Sequence, residues 1–148
     1  MIMTKFNIGV CGIIFDPEKR ILLCHRHDYD LWNLPGGGAK DRESPWEEVV
    51  RETKEETGLD IKIENLLGVY FKPETNEVNF AFIGKPVSGE LSLNDEADKL
   101  EYFAFSELPK YMSAKQIERI EDALEYNGQV ITKTQTGPSS KELAKNNA

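Results

Sequence analysis

Residues 44–58, SPWEEVVRETKEETG, spell out both ends of a helix, and no other segment constrains the fold so tightly. Ser44 is placed to cap the N-terminus, Pro45 takes the first helical position, and Glu47 completes a capping box with Ser44. The helix is expected to run to about Thr57, with Gly58 ending it in left-handed geometry. At about 100° per residue, Trp46, Val49, Val50, Thr53 and Thr57 gather on one side, which is predicted to face a core. Glu48, Glu52, Glu55 and Glu56 gather beside them within an arc of about 100°.

Crowding four carboxylates onto one face is costly. Like-charge neighbours at helical spacing cost about 0.2–0.5 kcal/mol per pair. Glu55 and Glu56 also lie in the last turn, where the helix dipole disfavours anions by about 0.3–1 kcal/mol each. A solvated structural face would carry lysines there. Cations seated against the arc remove both penalties, so a metal site is expected. Oxygen ligands without a His or Cys cluster point to hard ions, Mg²⁺ with Mn²⁺ as a substitute, two or three in number. Ions of this kind clamp phosphate oxygens and make water more acidic, which is the chemistry of phosphoryl transfer and hydrolysis.

The flanking segments read as an α/β domain. Residues 6–16 and 20–26 are rich in β-formers and are joined by DPEK, which predicts a hairpin. Residues 28–43 read as a loop broken by Pro35 and three glycines. Strands are expected at 60–72, 77–84 and 100–105, with turn chemistry at 85–90. A second helix is expected over 114–127, capped by Ser113 and stopped by Gly128, with Ile117, Ile120 and Leu124 as its apolar stripe. Everything past about Thr134 reads as a flexible polar tail, so the expectation is one domain over 1–134 and a tail over 135–148. Strands and helices alternate without a strict βαβ rhythm, which favours a mixed sheet flanked by helices.

Composition narrows the function. The formal charge of −8 argues against a nucleic-acid polymer as partner. No apolar run reaches the roughly 18 residues needed to span a bilayer, and the N-terminal stretch reads as a strand rather than a targeting signal. Cys11 and Cys24 stand in apolar segments without metal-binding spacing, as reduced thiols do in a cytoplasmic protein. His25 and His27 lack a third nitrogen or sulfur ligand. PGGGAKDRES lacks the spacing of a phosphate-binding P-loop.

Gly37, Glu43, Arg51, Glu52, Glu55, Glu56 and Gly58 resemble the box of the Nudix hydrolase family, G-x5-E-x7-R-E-U-x-E-E-x-G-U with U usually aliphatic. Thr53 departs from one aliphatic slot, and a packing consequence is expected there. The flanks ILLCHR and LWNLPGG, and the later DEADKLEYFAFSELP, are similar as well, so the resemblance spans about residues 5 to 110.

The resemblance implies an α/β/α sandwich and Mg²⁺-dependent hydrolysis of a pyrophosphate bond in a nucleoside diphosphate linked to another group. It implies Glu52, Glu55, Glu56 and the backbone carbonyl of Gly36 as metal ligands, with Glu43 as an accessory to that shell. Arg51 would orient a box glutamate, and the general base would be Glu55 or Glu96. Arg26, at the end of a strand, is a candidate for phosphate binding. Trp32, Tyr70 and Phe71 are candidates for stacking on a base. A noncanonical nucleoside triphosphate is the first substrate reading. ADP-ribose, nucleotide sugars and dinucleoside polyphosphates are the alternatives within hydrolases. A non-catalytic nucleotide-binding regulator and an isopentenyl diphosphate isomerase are the alternatives outside them, and a homodimer is left open.

Overall fold

The computed structural model describes residues 3–147; Met1, Ile2 and Ala148 lie outside the described residues. In chain order the elements are β1 Asn7–Ile14, β2 Ile21–Arg26, β3 Trp32–Asn33, β4 Gly36–Gly38, α1 Pro45–Thr57, β5 Leu59–Lys72, β6 Glu77–Gly89, β7 Ala97–Phe103, α2 Ala114–Leu124, β8 Ile131–Thr134 and α3 Ser140–Asn147. A five-stranded mixed sheet runs β4-β1-β6-β5-β8, and a three-stranded antiparallel sheet runs β3-β2-β7.

Alternation along β1 divides the core. Val10 packs with Val49 of α1 and Phe82 of β6. Its neighbours Cys11 and Ile13 point the other way, into a larger cluster with Ile120 and Ala123 of α2 and Leu23, Trp32 and Leu34. The five-stranded sheet is therefore the middle layer between α1 and α2, as expected for a mixed-sheet α/β/α sandwich.

The expected hairpin at DPEK forms only its turn. Asp16 Oδ1 accepts from the backbone N–H groups of Glu18 and Arg20, and Lys19 takes a left-handed φ of 62°. After one bridge between Phe15 and Ile21 the two strands part into different sheets. Both edges of β1 are taken by β4 and β6, and both edges of β2 by β3 and β7. Turn residues specify a reversal of direction; they do not specify who pairs afterwards.

Long-range pairing moves other boundaries in the same way. β6 continues through the expected turn at 85–90 because β5 supplies antiparallel partners as far as Gly89. β7 begins at Ala97 and ends at Phe103, and residues Phe105–Glu107 form a short 3₁₀ turn. α2 starts as read, with Ser113 capping Lys115 N–H, but stops at Leu124, before Gly128.

Residues expected to form a flexible tail contribute packed positions. The expected tail follows directly on β8, which lies inside the expected domain and pairs in parallel with Gly68–Phe71. The Gln135 side chain is buried, accepting from Arg119 Nε and Nη2 and donating to the Lys115 carbonyl and Glu118. Ala144 of α3 is fully buried. The segment looks unstructured in sequence because it is polar, but its polar groups find partners on β5 and α2.

Candidate active site

Helix α1 forms with the ends read from its sequence. Ser44 Oγ accepts from Glu47 N–H, the Glu47 carboxylate accepts from Ser44 N–H, and Gly58 closes the helix at φ 84°. Its buried arc is displaced from the expected one. Val49, Thr53 and Thr57 are fully buried, but Trp46 is 59% exposed, and Glu48, expected on the open acidic face, is 0% exposed.

Strand β4, whose three residues are all glycine, lies against the glutamate edge of this helix at Glu52. A Cβ on Gly37 would lie 2.8 Å from Glu52 Cδ. Neither oxygen of Glu48 has a hydrogen-bond partner, and neither does the buried hydroxyl of Thr53, the residue in the usually aliphatic slot. Burial first, then the charges of Glu43 and Glu52, pushes the Glu48 carboxyl up to about 7.

Three carboxylates converge. One oxygen each from Glu52, Glu56 and Glu96 lies within 4.8 Å of the others. Glu52 and Glu56 come from α1; Glu96 comes from the loop before β7. Gly36 of β4 donates its N–H to Glu56 at 3.1 Å. Burial, with Glu52 and Glu96 nearby, nevertheless pushes the Glu56 carboxyl up to about 9. An oxygen-only trio with one carboxyl raised by burial and by its neighbours fits a hard divalent cation.

Arg51 works beside the trio. It grips Glu43 with two hydrogen bonds, at 2.7 and 2.9 Å, reaches Glu55 at 2.9 Å, and lies 3.1 Å from Glu52. Glu43 is held ionised by this contact, its pKa lowered chiefly by Arg51. Glu55 is exposed, sits in the hand of Arg51, and is not one of the converging trio.

A cleft of about 450 Å³ opens between the two sheets. Glu56, Glu96 and Gly36 line it, together with Arg26, Asn33, Asn79, Gln116 and Arg119. Arg26 is there as expected, but Asp28 already holds it through two hydrogen bonds at 2.8 and 2.7 Å. Trp32, Tyr70 and Phe71 do not line the cleft. Trp32 packs edge-on against His25 and Phe103, and Tyr70 is fully buried with its hydroxyl donating to Asp122.

His25 is not one of the converging trio, although it lines the same cleft; its two ring nitrogens meet Asp98 at 2.6 Å and Asp30 at 3.0 Å. Cys11 and Cys24 are free and buried, and burial raises the pKa of both thiols. Asn33, Asn79, Gln116 and Arg119 carry no local sequence signal for a site. Three elements, β3, β6 and α2, bring them together.

A glutamate trio where a capped helix, a glycine strand and a loop meet, beside an inter-sheet cleft on an α/β/α sandwich, defines a class of divalent-cation enzyme domains. The NUDIX domain matches residues 5–123, and this chain belongs to the Nudix hydrolase family. An ADP-ribose pyrophosphatase from Methanocaldococcus jannaschii is 39% identical over 110 residues, covering 70% of this chain and 64% of that protein. The chain thus spans just under two thirds of that relative. A MutT-like protein from Streptomyces ambofaciens is 30% identical over 122 residues, 82% of this chain and 79% of the relative. The crystal structure of a UDP-X diphosphatase superposes with a TM-score of 0.77 at 28% identity, over 91% of this chain and 70% of the other. No helix among the described residues is long and apolar enough to cross a membrane.

Proposed function

We propose that this protein hydrolyses the pyrophosphate bond of a nucleoside diphosphate linked to another group, using Mg²⁺ held by Glu52, Glu56, Glu96 and the Gly36 carbonyl. The observation that carries the reading is the trio of oxygens within 4.8 Å beside a cleft large enough for a nucleotide. Bound divalent ions supply charge neutralisation at the phosphates and a more acidic water.

The chain's own residues do the rest. Arg51 locks Glu43 and Glu55 and keeps the base of the helix rigid. Glu96 lines the cleft and Glu55 does not, so Glu96 takes the proton from the attacking water as well as completing the cation site. Arg26 reaches phosphate by exchanging its contact with Asp28. Amide groups of Asn33, Asn79 and Gln116, which line the cleft, meet the edge of the nucleoside through hydrogen bonds.

Two substrate readings are compatible with this architecture: a noncanonical nucleoside triphosphate and ADP-ribose. The 39% identity to a protein named as an ADP-ribose pyrophosphatase favours the second. A hydrolysis screen over nucleoside triphosphates, ADP-ribose, nucleotide sugars and dinucleoside polyphosphates with Mg²⁺ or Mn²⁺ tests the proposal, with Glu52→Gln as the control. Metal-dependent turnover abolished by Glu52→Gln is expected. Nucleotide binding without turnover of any compound would replace the enzyme reading with that of a binding regulator.

A further inference from the structure

Glu96 is the weakly anchored member of the trio. Glu52 and Glu56 are fixed by their helix, whereas Glu96 is an exposed side chain on a loop, brought up against two carboxylates that repel it. None of the salt bridges among the described residues involves Glu96. What holds it there is backbone chemistry: His27 Nδ1 lies 3.5 Å from the Glu96 carbonyl, and Asn94 makes the shorter contact, at the Glu96 N–H.

Asn94 uses both ends of its amide. Its Oδ1 accepts from the N–H of Glu96 at 2.8 Å and of Ala97 at 3.0 Å. Its Nδ2 donates to the backbone carbonyl of Glu56. That carbonyl lies in the last turn of α1, where carbonyls have no partner inside the helix. A neighbouring link, Ser92 N–H to Thr57 O at 3.0 Å, runs parallel to it. Beyond the loop, the contact between His25 and Asp98 ties the start of β7 to β2.

We propose that Asn94 is a positioning residue: it joins the Glu96 loop to the C-terminal end of α1 and so holds Glu96 within reach of Glu52 and Glu56. The inference rests on the reading of these three glutamates as the cation site. An amide suits the position on two counts. It donates and accepts at once, which a carboxylate cannot do, and it adds no charge beside three acids.

Two substitutions separate a bridge from a simple turn residue. Asn94→Ala removes both links. Asn94→Asp keeps the acceptor for the Glu96 and Ala97 N–H groups but sets an oxygen against the Glu56 carbonyl. The readout is Mn²⁺ affinity without substrate, from the electron paramagnetic resonance of free Mn²⁺, with thermal melting to verify folding. Groups that orient metal ligands typically contribute about 10–100-fold to affinity, and a loss of that size is expected for both variants. The added charge of Asp favours cation binding, so a loss in that variant reports the broken bridge.

In a Glu96→Gln background, Asn94→Ala should cost less than about 2-fold, because the two act through one ligand. Wild-type affinity in Asn94→Ala, or full rescue by Asp, overturns the bridge. Additive losses in the double variant also overturn it. If Glu96→Gln itself leaves Mn²⁺ affinity unchanged, the assignment of Glu96 to the cation site fails, and the role of Asn94 fails with it.

Discussion

Replacing Glu48 with methionine should stabilise the metal-free protein, and by an amount that depends on pH. Glu48 is fully buried and its two oxygens are unpartnered, and burial with nearby Glu43 and Glu52 raises its carboxyl from 4.5 to about 7. At about 1.36 kcal/mol per pH unit, that interval sets a ceiling of about 3 kcal/mol on the cost of ionising it in the folded state. Water entry and rearrangement lower the ceiling, so a gain of about 1–3 kcal/mol is expected at pH 8.

The sign follows from linkage. Below about pH 4.5 the carboxyl is protonated folded and unfolded, and the ionisation cost is absent. The cost grows as pH rises from there to about 7 and is complete above it. Methionine carries no such cost and conserves volume. Urea unfolding in excess chelator at pH 5 and pH 8, for the parent and Glu48→Met, measures both parts. A methionine variant that is no more stable at pH 8, or a difference equal at the two pH values, would refute a buried ionisable carboxyl.

Glu56→Gln should lower kcat by about 10²-fold or more through loss of electrostatic stabilisation, with a smaller effect on KM. The same variant should raise the melting temperature of the metal-free protein, since it removes a carboxylate crowded by Glu52 and Glu96; steady-state kinetics and calorimetry read the two effects. Gly37→Ala places a Cβ 2.8 Å from Glu52 Cδ. It should weaken Mn²⁺ binding in a titration while changing unfolding free energy by under about 1 kcal/mol. Gln135→Ala leaves the buried Arg119 guanidinium short of an acceptor and should cost about 1–3 kcal/mol by urea unfolding. No loss would mean that the segment after β8 does not pack as described.

The helix from Pro45 to Thr57 was legible because its information is local. A cap, a proline, a terminal glycine and a glutamate spacing all act within a few residues of one another, and the same spacing placed Glu52, Glu56 and Arg51 correctly around one face. The α/β class followed from element order. The hairpin at DPEK and the turn at 85–90 were misread because strand partners are chosen by distant segments competing for the same backbone edges.

Three decisions at the site belong to the tertiary structure alone. Helix α1 packs on its acidic edge, with Glu52 against Gly37, Glu48 buried and Trp46 in solvent; a helical wheel holds no information about what lies beneath it. Asn94, two residues before Glu96 in a polar loop, meets a helix end 38 positions upstream. The cleft gathers Asn33 of β3, Asn79 of β6, and Gln116 and Arg119 of α2. Spacing along one element fixes which side chains share a face. Which face is buried, and which distant group completes it, depends on how the layers stack.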